Sequence, residues 1–116
     1  MSEFLRGFGY AGRGFWHVVR TQRNMRVHLA AAVAAVTAGL VLRIGAVQWA
    51  CVALAIGLVL ATETINTVVE TIIDLQTQQV HPLAKVAKDA AAGAVLIASV
   101  TAVGVAIAVF VPRLLR

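Results

Sequence analysis

The chain has 116 residues and a net charge of +5, and its length limits it to one domain. Its residues are 60% hydrophobic and only 13% charged, against roughly 45–50% and about 25% in an average soluble domain. A short soluble chain buries too little of its surface to hide so many apolar side chains. The composition excludes an ordinary cytosolic enzyme, a disordered tail and, with Cys51 as the single cysteine, a disulfide-stabilised domain. It predicts an all-α integral membrane protein.

Residues 1–25 form the first predicted element, an amphipathic helix on the membrane surface. Its apolar side chains recur at helical spacing, while arginines repeat every seven residues on the opposite side. A basic amphipathic helix of this type usually lies flat on an anionic membrane. The apolar positions are Phe4, Phe8, Ala11, Phe15 and Val18, and the arginines are Arg6, Arg13 and Arg20.

Three stretches without Asp, Glu, Lys or Arg follow, and they predict three transmembrane helices. They are 16, 19 and 23 residues long, whereas a helix needs about 20 residues to cross a hydrocarbon core of ~30 Å. The first stretch reaches that length if Arg26 and Arg43 at its ends extend their side chains towards the interfaces. With their interfacial turns, the predicted helices cover about residues 26–44, 46–74 and 88–112.

Basic residues are distributed unequally about these spans. Seven lie before the first span or between the second and third, and three lie on the other side of the membrane. Because Lys and Arg favour cytoplasmic segments, the N-terminus is expected in the cytoplasm and the C-terminus outside. All the bases lie outside the apolar stretches, so the positive charge indicates a membrane protein and no nucleic-acid partner. The seven are Arg6, Arg13, Arg20, Arg23, Arg26, Lys85 and Lys88, and the three are Arg43, Arg113 and Arg116.

Acidic residues cluster where the second and third predicted spans meet the cytoplasm. A helix turns by about 100° per residue, so side chains spaced by three or four residues share one face. Ionisable side chains at the inner end of a transmembrane helix cost free energy to bury and are usually functional. Four polar side chains share an arc of about 80°, and this acidic stripe consists of Glu63, Asn66, Glu70 and Asp74.

Three interpretations of the acidic stripe remain open on its geometry. In the first, carboxylates hold a hard cation such as Mg²⁺ beside substrate phosphates, since oxygen ligands suit that ion. In the second, the stripe forms a path for cations or protons. In the third, it is a polar seam between helices, in which Lys88 pairs with Asp89 or Glu70.

The histidines and tryptophans do not by themselves indicate a metal or cofactor site. His17 and His28 flank the start of the first span and are expected at the interface, whereas His81 lies in the cytoplasmic loop. Trp16 and Trp49 are expected as interfacial anchors at the inner and outer sides. The sequence contains no GxxxxGK(S/T) motif, which excludes a P-loop ATPase at motif level.

Residues 63–74, ETINTVVETIID, resemble the signature of the prokaryotic diacylglycerol kinase family. Residues 81–95, HPLAKVAKDAAAGAV, are similar to the second conserved block of that family, and residues 21–29, TQRNMRVHL, resemble its first. The blocks occur in order and at the family's spacing, and the similarity covers nearly the whole chain. The segments HPLAK and RNMRVHL resemble the sequences of the Gram-positive branch, which phosphorylates undecaprenol, more than those of the diacylglycerol branch.

The resemblance implies a homotrimeric kinase of the bacterial plasma membrane, with one surface helix and three spans per subunit. It implies phosphate transfer from ATP to a lipid alcohol, with Mg²⁺ as the cofactor and undecaprenol as the expected acceptor. Diacylglycerol is the alternative acceptor. A non-catalytic scaffold or ion-path protein is the alternative from another functional class.

The resemblance also assigns roles to individual residues. Glu63 is the expected general base, and Glu70 is expected to hold Mg²⁺. Gln22 stands where the family has a glutamate as a second metal ligand, which predicts weaker metal binding, or alternatively a regulatory homologue. The residues expected to bind ATP are Tyr10, Asn66, Glu70, Asp74, Gln79, His81, Lys88 and Asp89.

Overall fold

The computed structural model describes residues 2–116, and within that range the chain forms α-helices and no strand. Three of the helices are long and apolar enough to cross a membrane, by length and composition. The expected all-α architecture with three candidate spans is therefore confirmed. The helices are α1 (Glu3–Thr21), α2 (Arg23–Leu42), α3 (Ala46–Gln76) and α4 (Pro82–Leu114), of which the last three are the candidate spans.

Helix α1 has a defined start and stop. Ser2 caps its first turn by accepting a hydrogen bond at Oγ from the Leu5 amide at 3.2 Å. The helix ends before Gln22, whose backbone is extended (φ −109°, ψ 113°) and which alone separates α1 from α2. Arg26 reaches back from α2 and donates through Nη1 to the Val19 and Arg20 carbonyls at 3.0 and 2.9 Å. The predicted first segment, residues 1–25, thus divides at Gln22.

A tight turn and one arginine close the opposite end of the bundle. Arg43 adopts the left-handed conformation (φ 53°) and ends α2. The guanidinium of Arg113, near the end of α4, donates to the carbonyls of Leu42 and Arg43 at 3.2 and 3.0 Å. It also donates to Gln48 Oε1 in the first turn of α3 at 2.9 Å. One side chain therefore joins the ends of all three candidate spans.

The packed apolar core lies at this same end of the bundle. Ile44, Val52 and Val109 are buried together, with Trp49 packed against them. A Cβ added at Gly39 would come within 2.7 Å of the Trp49 ring, so the indole occupies the space that this glycine leaves. Trp49, expected as an interfacial anchor, is half-buried and packs against the core.

Helices α3 and α4 pack together most extensively and carry the end of the bundle that contains the acidic stripe. α3 has 31 residues, about 46 Å at 1.5 Å per residue, which exceeds a hydrocarbon core of ~30 Å. The acidic stripe is therefore on the same continuous helix as the second predicted span. α4 begins at Pro82, six residues before the predicted span, with His81 as its N-cap and Nδ1 accepting from the Leu83 amide.

Candidate active site

Glu63 is the centre of the candidate site because it is an acidic side chain with almost no access to solvent. Its exposed fraction is 2%. Asn66 and Thr67, one turn further along α3, are the other polar side chains that the bundle buries within residues 2–116. Burial of a carboxylate is costly unless another group compensates its charge or bonds to it.

The group facing Glu63 is His28 of α2. Its Nε2 atom lies 3.5 Å from Oε2 of Glu63, and its side chain is 19% exposed. Oε2 is fully buried and accepts no hydrogen bond from any residue that the structure describes. The sequence predicts His28 only as an interfacial residue, and this contact with Glu63 was not expected from it. The signal in the sequence was a histidine within an otherwise uncharged apolar stretch.

The acidic stripe becomes progressively more accessible towards the C-terminal end of α3. Glu63 and Asn66 are buried, Glu70 is half-buried and Asp74 is exposed. Asn66 donates through Nδ2 to Oε1 of Glu70 at 3.4 Å. Its own Oδ1 is buried and lacks a hydrogen-bond partner among residues 2–116. The side-chain oxygen atoms of the stripe thus form a row from the buried carboxylate of Glu63 to the exposed carboxylate of Asp74.

Lys88 pairs across the helices rather than along its own helix. Its Nζ lies 2.7 Å from Oδ1 of Asp74, whereas Asp89 pairs with Lys85 one turn earlier on α4. Neither pairing named in the polar-seam interpretation, Lys88 with Asp89 or with Glu70, is an ion pair in the structure. The reason is that α4 starts at Pro82, which brings Lys88 opposite the last turns of α3.

A polar pocket of about 500 Å³ lies between these last turns, the loop and the start of α4. Five of the residues expected to bind ATP line it together: Asp74, Gln79, His81, Lys88 and Asp89. Asn66 and Glu70 lie on the stripe between this pocket and Glu63. Most of the predicted site residues therefore lie in one continuous row, from Glu63 along α3 to the polar pocket.

Two predicted site residues lie on or beside α1, apart from this pocket. Tyr10 is 63% exposed, and the guanidinium of Arg13 lies 4.9 Å from the centre of its ring. Gln22 is half-buried and donates through Nε2 to the hydroxyl of Thr21 at 3.5 Å. Neither side chain lines the polar pocket.

The oxygen atoms of the site suit Mg²⁺ shared with a substrate. Residues 2–116 contain no group of three or more His, Cys, Asp and Glu side chains placed to hold a metal. Mg²⁺, however, is commonly held by one or two carboxylates together with substrate phosphates. Glu70 offers such a carboxylate, and the unpartnered Oδ1 of Asn66 lies beside it. The donor set therefore fits a cation that a phosphate-bearing substrate helps to bind.

An apolar groove runs between α2, α3 and α4 from the level of His28 to Phe110. Its volume is about 260 Å³, and alanine, valine, isoleucine and leucine side chains form most of its lining. Val59 and Leu60 line it one turn before Glu63. The groove has the chemistry of a hydrocarbon-binding surface, with the imidazole at its end next to the buried carboxylate.

Comparison with known proteins identifies the family. The model of the family described as prokaryotic diacylglycerol kinase matches residues 9–110. The undecaprenol kinase of Bacillus subtilis is 40% identical over 114 residues, covering 98% of this chain and 93% of that protein. The diacylglycerol kinase of Synechocystis is 44% identical over 114 residues, covering 97% of this chain but 65% of that longer protein. As the motifs at residues 63–74 and 81–95 predict, the chain belongs to the prokaryotic diacylglycerol kinase family.

Proposed function

We propose that this chain transfers the γ-phosphate of ATP to undecaprenol and so forms undecaprenyl phosphate. Family membership makes the chain a lipid kinase. Undecaprenol is favoured because the Bacillus relative matches nearly end to end, whereas the Synechocystis relative has a third of its length outside the match. Diacylglycerol is the second candidate acceptor, supported by the 44% identity to the Synechocystis protein.

The observation that carries this proposal is the buried, unbonded Oε2 of Glu63. A carboxylate with a free oxygen can take the proton of a lipid hydroxyl as that hydroxyl attacks the γ-phosphorus. The apolar groove ends at His28, next to this carboxylate, and provides a surface for the hydrocarbon chain. We therefore assign Glu63 as the general base and the groove as the binding surface for the lipid.

The nucleotide binds in the polar pocket at the start of α4. Phosphoryl transfer depends mainly on positioning and on stabilisation of phosphate charge. Lys88 supplies a positive charge there, and Asp89, Gln79 and His81 surround the same space. Glu70 and Asn66 would hold Mg²⁺, which would supply positive charge beside the phosphates.

The assembly and the membrane placement complete the proposal. The resemblance supports a homotrimer in the bacterial plasma membrane, with α1 lying on the cytoplasmic surface. The distribution of seven basic residues against three supports a cytoplasmic N-terminus. The exposed apolar side chains of α1, among them Phe4 and Phe8, support its contact with lipid.

Phosphate transfer from labelled ATP tests this function directly. The purified protein in mixed micelles with Mg²⁺ is given undecaprenol or diacylglycerol, and the labelled lipid is measured. We expect transfer to undecaprenol, loss of transfer in Glu63→Gln with the oligomer intact, and retained transfer in the control Glu3→Gln. Preference for diacylglycerol would replace the acceptor but not the class. A folded oligomer that labels neither lipid would contradict the proposal and favour a scaffold.

A further inference from the structure

We propose that His28 is a positioning residue that holds the carboxylate of Glu63 in place for proton transfer. The inference rests on the proposed role of Glu63 as the general base. His28 is on α2 and Glu63 on α3, so the contact joins two helices at the point where the lipid hydroxyl must react. Among residues 2–116, His28 is the only basic side chain with a nitrogen within 4 Å of a Glu63 carboxylate oxygen.

The distance of 3.5 Å between Nε2 and Oε2 is slightly long for a hydrogen bond. Catalytic contacts are often long without substrate and shorten when substrate is bound. Nε2 of His28 lies beside Oε2, a buried carboxylate oxygen that accepts no hydrogen bond among residues 2–116. A donor supplied at this distance can fix the direction in which the Glu63 carboxylate faces the lipid hydroxyl.

The neighbouring threonine hydroxyls on α3 donate no hydrogen bond to the Glu63 carboxylate. Thr64 donates to the Leu60 carbonyl at 2.8 Å, and Thr67 donates to the carbonyl of Glu63 itself at 3.1 Å. Both hydroxyls are therefore used within the helix. The orientation of the Glu63 side chain depends on a donor from another helix, and His28 is the side chain placed to provide it.

The position of His28 at the end of the apolar groove adds a second reason. Its ring lines the groove together with Val59 and Leu60, while its Nε2 faces Glu63. A lipid lying in the groove would therefore bring its hydroxyl to the same point as the carboxylate. A side chain that touches both the lipid surface and the base can align one with the other.

The test compares three substitutions of His28 in the full-length oligomer, assayed in mixed micelles with the acceptor lipid. His28→Leu approximately keeps the side-chain volume but has no hydrogen-bond donor. His28→Ala removes both the volume and the donor. His28→Gln keeps an N–H donor near the position of Nε2. We expect kcat to fall by about 10- to 100-fold in the Leu and Ala variants, less than the loss of a general base itself. We expect the KM for ATP to stay within about twofold, and His28→Gln to recover most of kcat, because the amide replaces the donor.

The outcomes separate this inference from the proposed function. An unchanged kcat in His28→Leu would overturn the positioning role while the lipid kinase remained active. Equal loss in all three variants together with a lower melting temperature would assign His28 a packing role and overturn the inference. Retained transfer in Glu63→Gln would remove the general base, and the positioning role with it. Wild-type protein without transfer activity would overturn both proposals.

Discussion

The ammonium group of Lys88 lies 2.7 Å from the carboxylate of Asp74 and joins the start of α4 to the end of α3. The two side chains are 41% and 63% exposed. Ion pairs with this much solvent access contribute little to stability. The pair lies at the wall of the polar pocket, and in the proposed function Lys88 exchanges the carboxylate for a nucleotide phosphate.

Replacement of Lys88 by Met is therefore expected to impair nucleotide use more than folding. The KM for ATP should rise at least tenfold or transfer should fall by a similar factor, because a charge-assisted contact to phosphate is lost. The melting temperature should change little. The comparison is Lys85→Met, which removes an equal charge from the same pocket but from a side chain paired with Asp89. A larger loss of transfer activity in Lys85→Met than in Lys88→Met would contradict the assignment of Lys88 as the phosphate contact.

Replacement of Gln22 by Glu is expected to raise activity when Mg²⁺ is limiting. A carboxylate binds this cation more strongly than a neutral amide oxygen, and glutamate is the residue that the family resemblance implies at this position. A titration of transfer against Mg²⁺ concentration should show half-maximal activity at lower Mg²⁺. Gln76→Glu adds the same charge at the end of α3 and serves as the control. An unchanged titration would mean that Gln22 takes no part in metal binding.

The contact between Gly39 and Trp49 gives a prediction about stability. An added Cβ at residue 39 would lie 2.7 Å from the indole ring, so Gly39→Ala must displace that ring. We expect a loss of about 1–3 kcal/mol, as overpacking of a core commonly causes. Thermal unfolding in detergent measures it. Gly104→Ala is the matched control, since no atom lies within 4 Å of a Cβ added there, and equal effects of both changes would contradict the packing.

Arg113 is expected to stabilise the end of the bundle through its three hydrogen bonds to the α2–α3 turn and the first turn of α3. Arg113→Leu should lower the free energy of unfolding by about 1–3 kcal/mol, because carbonyl groups lose their donors. The free energy of unfolding of Arg113→Lys should lie between those of the wild type and Arg113→Leu. An ammonium group cannot reproduce the planar, forked hydrogen bonding of a guanidinium. The exposed Arg116, changed to Leu, is the control. Similar unfolding curves for both Leu variants would contradict this role.

The sequence alone determined the features that depend on local order along the chain. The lengths of the uncharged stretches predict the candidate spans, and the spacing of Glu63, Glu70 and Asp74 predicts one polar face, because helix geometry is fixed by residue number. The same residues identify the family. These inferences succeed because each depends on residues within one helix or one contiguous motif.

The tertiary structure decided which helices face one another, and at which level. His28 meets Glu63, and Trp49 meets Gly39, only because α2 is placed against α3 with a particular rotation and register. The polar-seam interpretation paired Lys88 with Asp89 or Glu70, whereas its partner is Asp74, 14 positions away and one turn beyond Glu70 on α3. Apolar spans with similar surfaces permit several rotations, so periodicity does not choose among them. The choice is made by side-chain packing and by the pairing of buried polar groups, which act between helices.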